Sequence, residues 1–212
     1  AKQLTVQRGE IRFEDVSFAY NQKNVIDHFN LTIKPGEKIG IVGRSGAGKS
    51  TLMKILSGVY QPTSGKITVK GKEFTHLTPK DSYECGISII YQELSVIDYL
   101  SIEENLFVGD IPTHRRLGVN VVNRQFMREK ARQTLVRVGL DRPPETLVSD
   151  LSISEKQQVE IAKALARDAR VIILDEPTAA LDPLSEIEIY THLNELIQNK
   201  SAIYISHRMS SC

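Results

Sequence analysis

Residues Gly43 to Ser50 read G-R-S-G-A-G-K-S, and their types are those that grip a phosphate group. Gly, four residues, then Gly-Lys-Ser is the phosphate-loop spacing. Glycines at 43, 46 and 48 admit backbone angles that side chains forbid, so several N–H groups can converge on one anion. A helix starting at the loop points its positive end at the same place. Lys49 supplies a full charge for the β- and γ-phosphates of a nucleotide, and the Ser50 hydroxyl can ligate Mg2+. Such a loop needs a strand before it and a helix after it. Lys38-Ile39-Gly40-Ile41-Val42 reads as a short buried strand, and Thr51 to Leu56 carries apolar side chains at helical spacing, so both are expected.

A second constellation follows much later. Val171-Ile172-Ile173-Leu174 is an apolar strand that runs into Asp175 and Glu176. Asp175 can hold Mg2+ directly or through water, and Glu176 can orient and partly deprotonate an attacking water. Gln92 and His207 each follow an apolar strand as well. Alone, either would read as a surface polar group. In a parallel α/β sheet, however, the carboxyl ends of neighbouring strands face one crevice. Strand ends at Val42, Tyr91, Leu174 and Ile205 would gather the loop, Gln92, Asp175, Glu176 and His207 around one ligand. His28, His76, His114 and His192 lack that context and receive no role.

The elements that must position these groups can be read in order. Ile11, Phe13, Val16 and Phe18 alternate with charges, which reads as a strand ending at Tyr20. A polar turn, Asn21 to Asn24, leads to a strand through Phe29–Ile33, and Pro35-Gly36 turns the chain into the strand before the loop. Two antiparallel strands ahead of a parallel nucleotide-binding unit predict a mixed sheet. Lys66–Val69 reads as a strand with a hairpin turn at Lys70-Gly71-Lys72, and Ile87–Tyr91 as another buried strand. Ser101-Ile102-Glu103-Glu104 opens a helix with a capping-box pattern. Residues 109–122 read as loop. Arg124–Val138 reads as a charged helix ended by Gly139, and residues 154–166 as a further helix. A last helix over 184–198 leads to a strand, Ala202–Ile205. The basic residues Arg115, Arg116, Arg124, Arg128, Lys130, Arg132 and Arg137 read as a solvated helix face.

The totals set limits. The chain has 212 residues and a formal net charge of +1, enough for one domain with an appended lobe and no support for bulk nucleic-acid binding. Cys85 and Cys212 have no metal spacing and read as reduced thiols. No leader pattern and no apolar run long enough for a bilayer is present, so the chain is read as cytosolic, with any membrane role reached through a partner.

In the order Tyr20, G-R-S-G-A-G-K-S, Gln92, Leu151-Ser152, I-I-L-D-E-P-T, A-A-L-D and Ile205-Ser206-His207, the sequence resembles the ATP-binding cassette family over nearly its whole length. The resemblance implies a phosphate-loop α/β core with a mixed sheet, an antiparallel β subdomain and an inserted α-helical subdomain. Residues 1–93 and 151–212 would form the core and 94–150 the helical part. It implies ATP and Mg2+, with Gly43, Arg44, Ser45, Gly46, Ala47, Gly48, Lys49, Ser50 and Thr51 around the phosphates and Tyr20 stacked on adenine. Ser50, Gln92 and Asp175 would serve the metal. Glu176, Gln92 and His207 would serve hydrolysis, and Asp182 would cross a dimer interface. The family's signature, Leu-Ser-Gly-Gly-Gln, is here Leu151-Ser152-Ile153-Ser154-Glu155, with both glycines replaced.

The expected role is an ATPase subunit that energises a transporter. Two copies would sandwich two ATP molecules head to tail, bound peripherally to transmembrane permease subunits at the cytoplasmic face of the membrane, without nucleic acid. The middle section resembles monosaccharide importers of the ribose and allose kind, and the two ends resemble peptide or lantibiotic exporters. The pattern also implies closing elements after His207, so the chain reads as shortened at that end. Three alternatives stay open: an exporter-type cassette, a soluble non-transport ATPase of the same family, and a recombined cassette that binds ATP but hydrolyses it poorly.

Overall fold

The computed structural model describes residues 10–21, 23–44, 46–91, 93–116, 118–175, 195–197 and 200–206. The chain divides into two compact units. The first contains, among the described residues, 10–90, 169–175, 197 and 200–206, and the second 91–168 with 195–196.

In the first unit, β1 (Ile11–Tyr20) pairs antiparallel with β2 (Lys23–Ile33). Apolar residues sit at 11 and 13 and then at 16 and 18, so strict alternation must slip once. The slip is a bulge: the register shifts between Phe13 and Val16, and Asp15 takes a φ of 55°. Ile11, Phe13, Val16 and Phe18 are thereby all kept in the core. Asn30 Oδ1 accepts from the Asp15 N–H at 2.9 Å and supports the bulge. The strand β3 (Lys38–Val42) leads into the phosphate-loop pattern, followed by α1 (Lys49–Leu56). Next come β4 (Ser64–Val69) and β5 (Lys72–Phe74), then α2 (Pro79–Glu84) and β6 (Ile87–Ile90).

The antiparallel and parallel strands separate into two sheets. One has the order β2-β1-β4-β5. The other is closed by β9 (Val171–Asp175) and β10 (Ser201–Ser206) in the order β3-β10-β9-β6, and every pair in it is parallel. The core of this unit draws on both sheets and on α1: Phe13, Ile33, Met53, Ile55, Leu56, Ile67, Ile173 and Ile203 are all buried in one cluster.

The second unit is mainly helical. It contains α3 (Ile102–Leu106), α4 (Arg124–Val138) and α5 (Ile153–Ala166), which pack on one another. Met127, Ala131, Leu135 and Val138 recur at helical spacing and give α4 its buried stripe. Asn123 caps its start by accepting from the Phe126 N–H at 3.1 Å, and Gly139, at φ 70°, ends it. The capping box expected at Ser101 is present on α3.

Residues 109–122 were expected as loop, and the structure corrects this. Strand β7 (Thr113–Arg116) pairs antiparallel with β8 (Val119–Val122) in a short hairpin. β8 reads Val119-Asn120-Val121-Val122, a β-branched stretch, and all four of its residues are exposed, so it adds no buried face to the core. Arg115 and Arg116 lie on this hairpin and not on a helix face. A basic residue of α4 is paired by acids from outside the helix: Arg128 pairs with Glu103 at 3.2 Å and with Glu145 at 2.8 Å. The helix expected over 184–198 lies almost wholly outside the described residues. No helix among the described residues is long and apolar enough to cross a membrane.

Candidate functional site

The loop between β3 and α1 is built so that Lys49 cannot point away. Lys49 is the first residue of α1, and Gly48 before it has φ 86°. The side chain turns back along the loop, where its Nζ donates to the Gly43 carbonyl at 2.7 Å and to the Arg44 carbonyl at 3.1 Å. It is 6% exposed. Burial pushes its ammonium below the ordinary lysine value, and the carboxylate of Asp175 opposes that shift. Gly48, the N-cap of α1, has no side chain with which to cap the first turn, so that turn can serve an external acceptor. The Ala47 N–H closes a turn onto the Arg44 carbonyl at 3.2 Å. Gly46 and Ser50 are exposed beside it, and Thr51 is buried.

Parallel pairing sets the distance to the acid. Ser206 lies beside Val42, and Asp175 lies beside Ile205. Asp175 is thus two strands from the loop's strand, or about 10 Å at ordinary strand spacing. It lies at the same carboxyl edge of the sheet, as expected from the strand ends. Ser45, Gln92, Glu176, Asp182 and His207 lie outside the described residues.

Tyr20 ends β1 and is 41% exposed. Phe18 meets it edge-on at 4.8 Å and Tyr60 at 5.6 Å, while Phe18 and Tyr60 stack at 5.3 Å. The Tyr20 hydroxyl lies 3.5 Å from Thr51 Oγ1. An aromatic face is thereby fixed in orientation by two rings and by the residue that follows Ser50. Tyr60 escaped the sequence reading. Its signal was only the recurrence of aromatics at 18, 20 and 60, which no local spacing links.

The second unit carries the altered signature segment. Leu151 is buried, and Ser152 caps α5. The Ser152 N–H donates to Glu155 Oε2 at 2.8 Å, and the Glu155 N–H returns to Ser152 Oγ at 3.3 Å, a reciprocal capping box. Ser154 Oγ lies 3.1 Å from Ser152 Oγ. Arg142 Nε donates to Glu155 Oε1 at 2.7 Å. That bond, with those from Ser152, holds the Glu155 carboxyl down at about 2. Sequence reading missed Arg142, which lies 13 residues away with no motif around it.

The arrangement can receive a polyphosphate at the start of α1 and a hard cation beside it. Ser50 and Asp175 carry oxygen groups of the kind Mg2+ takes.

Comparison with known proteins gives a consistent picture. A family model described as ABC transporter matches residues 26–179. The D-allose import ATP-binding protein AlsA of Escherichia coli is 43% identical over 201 residues, 94% of this chain and 39% of the relative. A ribose import ATP-binding protein RbsA of Rubrobacter xylanophilus is 42% identical over 200 residues, 94% of this chain and 40% of the relative. The chain therefore spans about two fifths of the length of these curated relatives. Among solved structures, an ATP-binding cassette of an ABC transporter in its ADP conformation superposes with a TM-score of 0.83 at 25% identity, over 96% of this chain and 83% of that one. A bacterial Atm1-family ABC exporter with ATP bound gives a TM-score of 0.76 at 25% identity, over 98% of this chain and 36% of that one.

Proposed function

We propose, because this chain belongs to the ABC transporter family, that it is a cassette that binds and hydrolyses ATP to drive a monosaccharide across a membrane. The observation that carries the nucleotide reading is Lys49, buried at the start of an uncapped helix with its ammonium turned onto the loop carbonyls. An incoming triphosphate competes with those two carbonyls for the ammonium and takes the amides of the first turn. Tyr20 offers its open ring face to the base. Sugar import is favoured over export because the alignments to allose and ribose import proteins span 94% of the chain at 43% and 42% identity.

In this reading, Ser50 and Asp175, with Gln92, would hold Mg2+, which would supply positive charge beside the phosphates. Glu176 orients the attacking water and accepts its proton as the oxygen bonds to the γ-phosphorus and the bond to the β-phosphate oxygen breaks. His207 contacts the γ-phosphate. Ser152 and Ser154, at the positive end of α5, meet the nucleotide of a second cassette, with Asp182 at the shared face. Tighter binding of ATP to the closed pair than to the open one supplies the work delivered to transmembrane permease subunits, which the pair would meet from the membrane surface.

The deciding experiment is Glu176→Gln. Steady-state phosphate release should fall by roughly 10²–10⁴, the range for loss of a general base, while ATP still binds. Unchanged turnover would remove Glu176 from the chemistry, and no measurable ATP affinity in the parent chain would remove the function itself.

A further inference from the structure

Helix α1 reaches Tyr20 from both of its ends. In its first turn, the Thr51 hydroxyl lies 3.5 Å from the Tyr20 hydroxyl. Past its last turn the chain bends back on the helix. The Gly58 N–H donates to the Ile55 carbonyl at 3.0 Å, and the Tyr60 N–H to the Lys54 carbonyl at 2.9 Å. Those bonds tie Tyr60 to the helix, and its ring lies 5.6 Å from that of Tyr20 at an interplanar angle of 87°. Phe18, buried in the core, stacks on Tyr60 with only 11° between the rings. A ring held by one neighbour can still pivot about that contact. Tyr20 stands at right angles to two stacked neighbours with its hydroxyl beside Thr51, and a pivot would break at least one of the three contacts.

Tyr60 is itself held. The ammonium of Lys54 lies over its ring, 5.2 Å from the centroid. Its phenol is drawn below the ordinary value, first by a hydrogen bond from Tyr20 and then by the charge on Lys54. The segment beyond it grips the strand end that carries Tyr20. The Thr63 N–H donates to the Ser17 carbonyl at 2.8 Å, and Thr63 Oγ1 accepts from the Ala19 N–H at 3.3 Å.

We infer that Tyr60 is a positioning residue that holds the Tyr20 ring at a fixed place relative to the phosphate loop, so that a base and its polyphosphate are received together. This rests on the function proposed above, in which Tyr20 meets the base and the start of α1 meets the phosphates. One short helix then sets the span between the two contacts, with the loop at its start and the prop for the ring just past its end. The ring is in place before the nucleotide arrives, so its ordering does not have to accompany binding.

The test uses the full chain and two probes with Mg2+, ATP and inorganic tripolyphosphate, which has no base. Each is titrated by calorimetry into the parent chain, Tyr60→Leu, Tyr60→Phe, Tyr20→Ala and the double variant Tyr20→Ala/Tyr60→Leu. Tyr60→Leu keeps apolar volume at the edge of the core but loses the ring. It should weaken ATP by about 3- to 10-fold, the worth of an aromatic pair, and leave tripolyphosphate within about twofold. Tyr60→Phe keeps the ring and should bind ATP within about twofold of the parent. With Tyr20 already replaced by alanine, Tyr60→Leu should cost less than about twofold, because the ring it holds is gone. Unchanged ATP affinity in Tyr60→Leu would overturn the inference. So would equal losses for both probes, which place the damage in the loop or the fold, or an undiminished loss in the Tyr20→Ala background. A parent chain that bound neither probe would remove the proposed function and this inference with it, whereas the other failures leave that function standing.

Discussion

Arg142 Nε donates to Glu155 Oε1 at 2.7 Å, and Glu155 in turn closes the capping box of α5 on Ser152. The residue that replaces the family's glutamine is therefore a carboxylate with both oxygens engaged, one by a guanidinium and one by the helix start. A bare negative charge here would oppose a phosphate. Paired with Arg142, it leaves the Ser152 end of the helix close to neutral.

The pair gives a pH prediction with a definite sign. The Glu155 carboxyl is lowered from its usual 4.5 to about 2, first by Arg142 and then by Ser152. A lowered acid contributes stability that is complete above its unfolded value and is lost as pH falls through the folded one. The start of α5 should thus be fully capped above about pH 4.5 and lose that contribution progressively as pH falls towards about 2. Carboxyl-carbon NMR reads this directly. Arg142→Ala should move the Glu155 titration upward, and an ordinary titration in the parent chain would show that the pair does not form.

Lys49→Ala should weaken ATP binding by roughly 10- to 150-fold, the worth of hydrogen bonds to a charged group. Lys49→Arg should not restore it, because a guanidinium is bulkier and the residue is only 6% exposed. Calorimetric titration with Mg-ATP measures both variants, and full affinity in Lys49→Ala would place the nucleotide elsewhere.

Gly48→Ala should destabilise the fold more than Gly46→Ala. Both positions have a positive φ, 86° and 81°, so each substitution carries backbone strain of about 1–2 kcal/mol. At Gly48 the new methyl would also sit 3.0 Å from the Val25 carbonyl oxygen, whereas at Gly46 nothing lies within 4 Å. Thermal unfolding of the two variants should differ by a few degrees in that order.

What was legible in the sequence was what is local. The phosphate loop is contiguous, its strand and helix flank it, and α4 carries its own cap, stripe and terminal glycine. The β7–β8 hairpin was missed although Val119, Val121 and Val122 are β-branched, because β7 is Thr-His-Arg-Arg and its four-residue partner is too short to stand out from the polar stretch around it. The short helix α2 escaped because its box uses Asp81 with Thr78, and only Ser82 of the helix is buried. The bulge at Asp15 could have been found, since a three-residue interval between Phe13 and Val16 cannot be met by a regular strand. In the candidate site, Tyr60 and Arg142 meet Tyr20 and Glu155, partners far from them in the sequence. Arg142 stands 13 residues from Glu155, and no spacing rule spans that interval.

The exposed hairpin has a consequence for how this chain can change over time. Side chains along β8 contribute nothing to the interior, and those of Thr113, His114 and Arg115 on the facing strand are exposed too. Folding imposes little selection on the identity of these residues beyond the turn and the ladder. Drift, insertion or the grafting of a reporter peptide is affordable there as far as the native state is concerned, and any constancy found among descendants would record a neighbour that touches the ribbon.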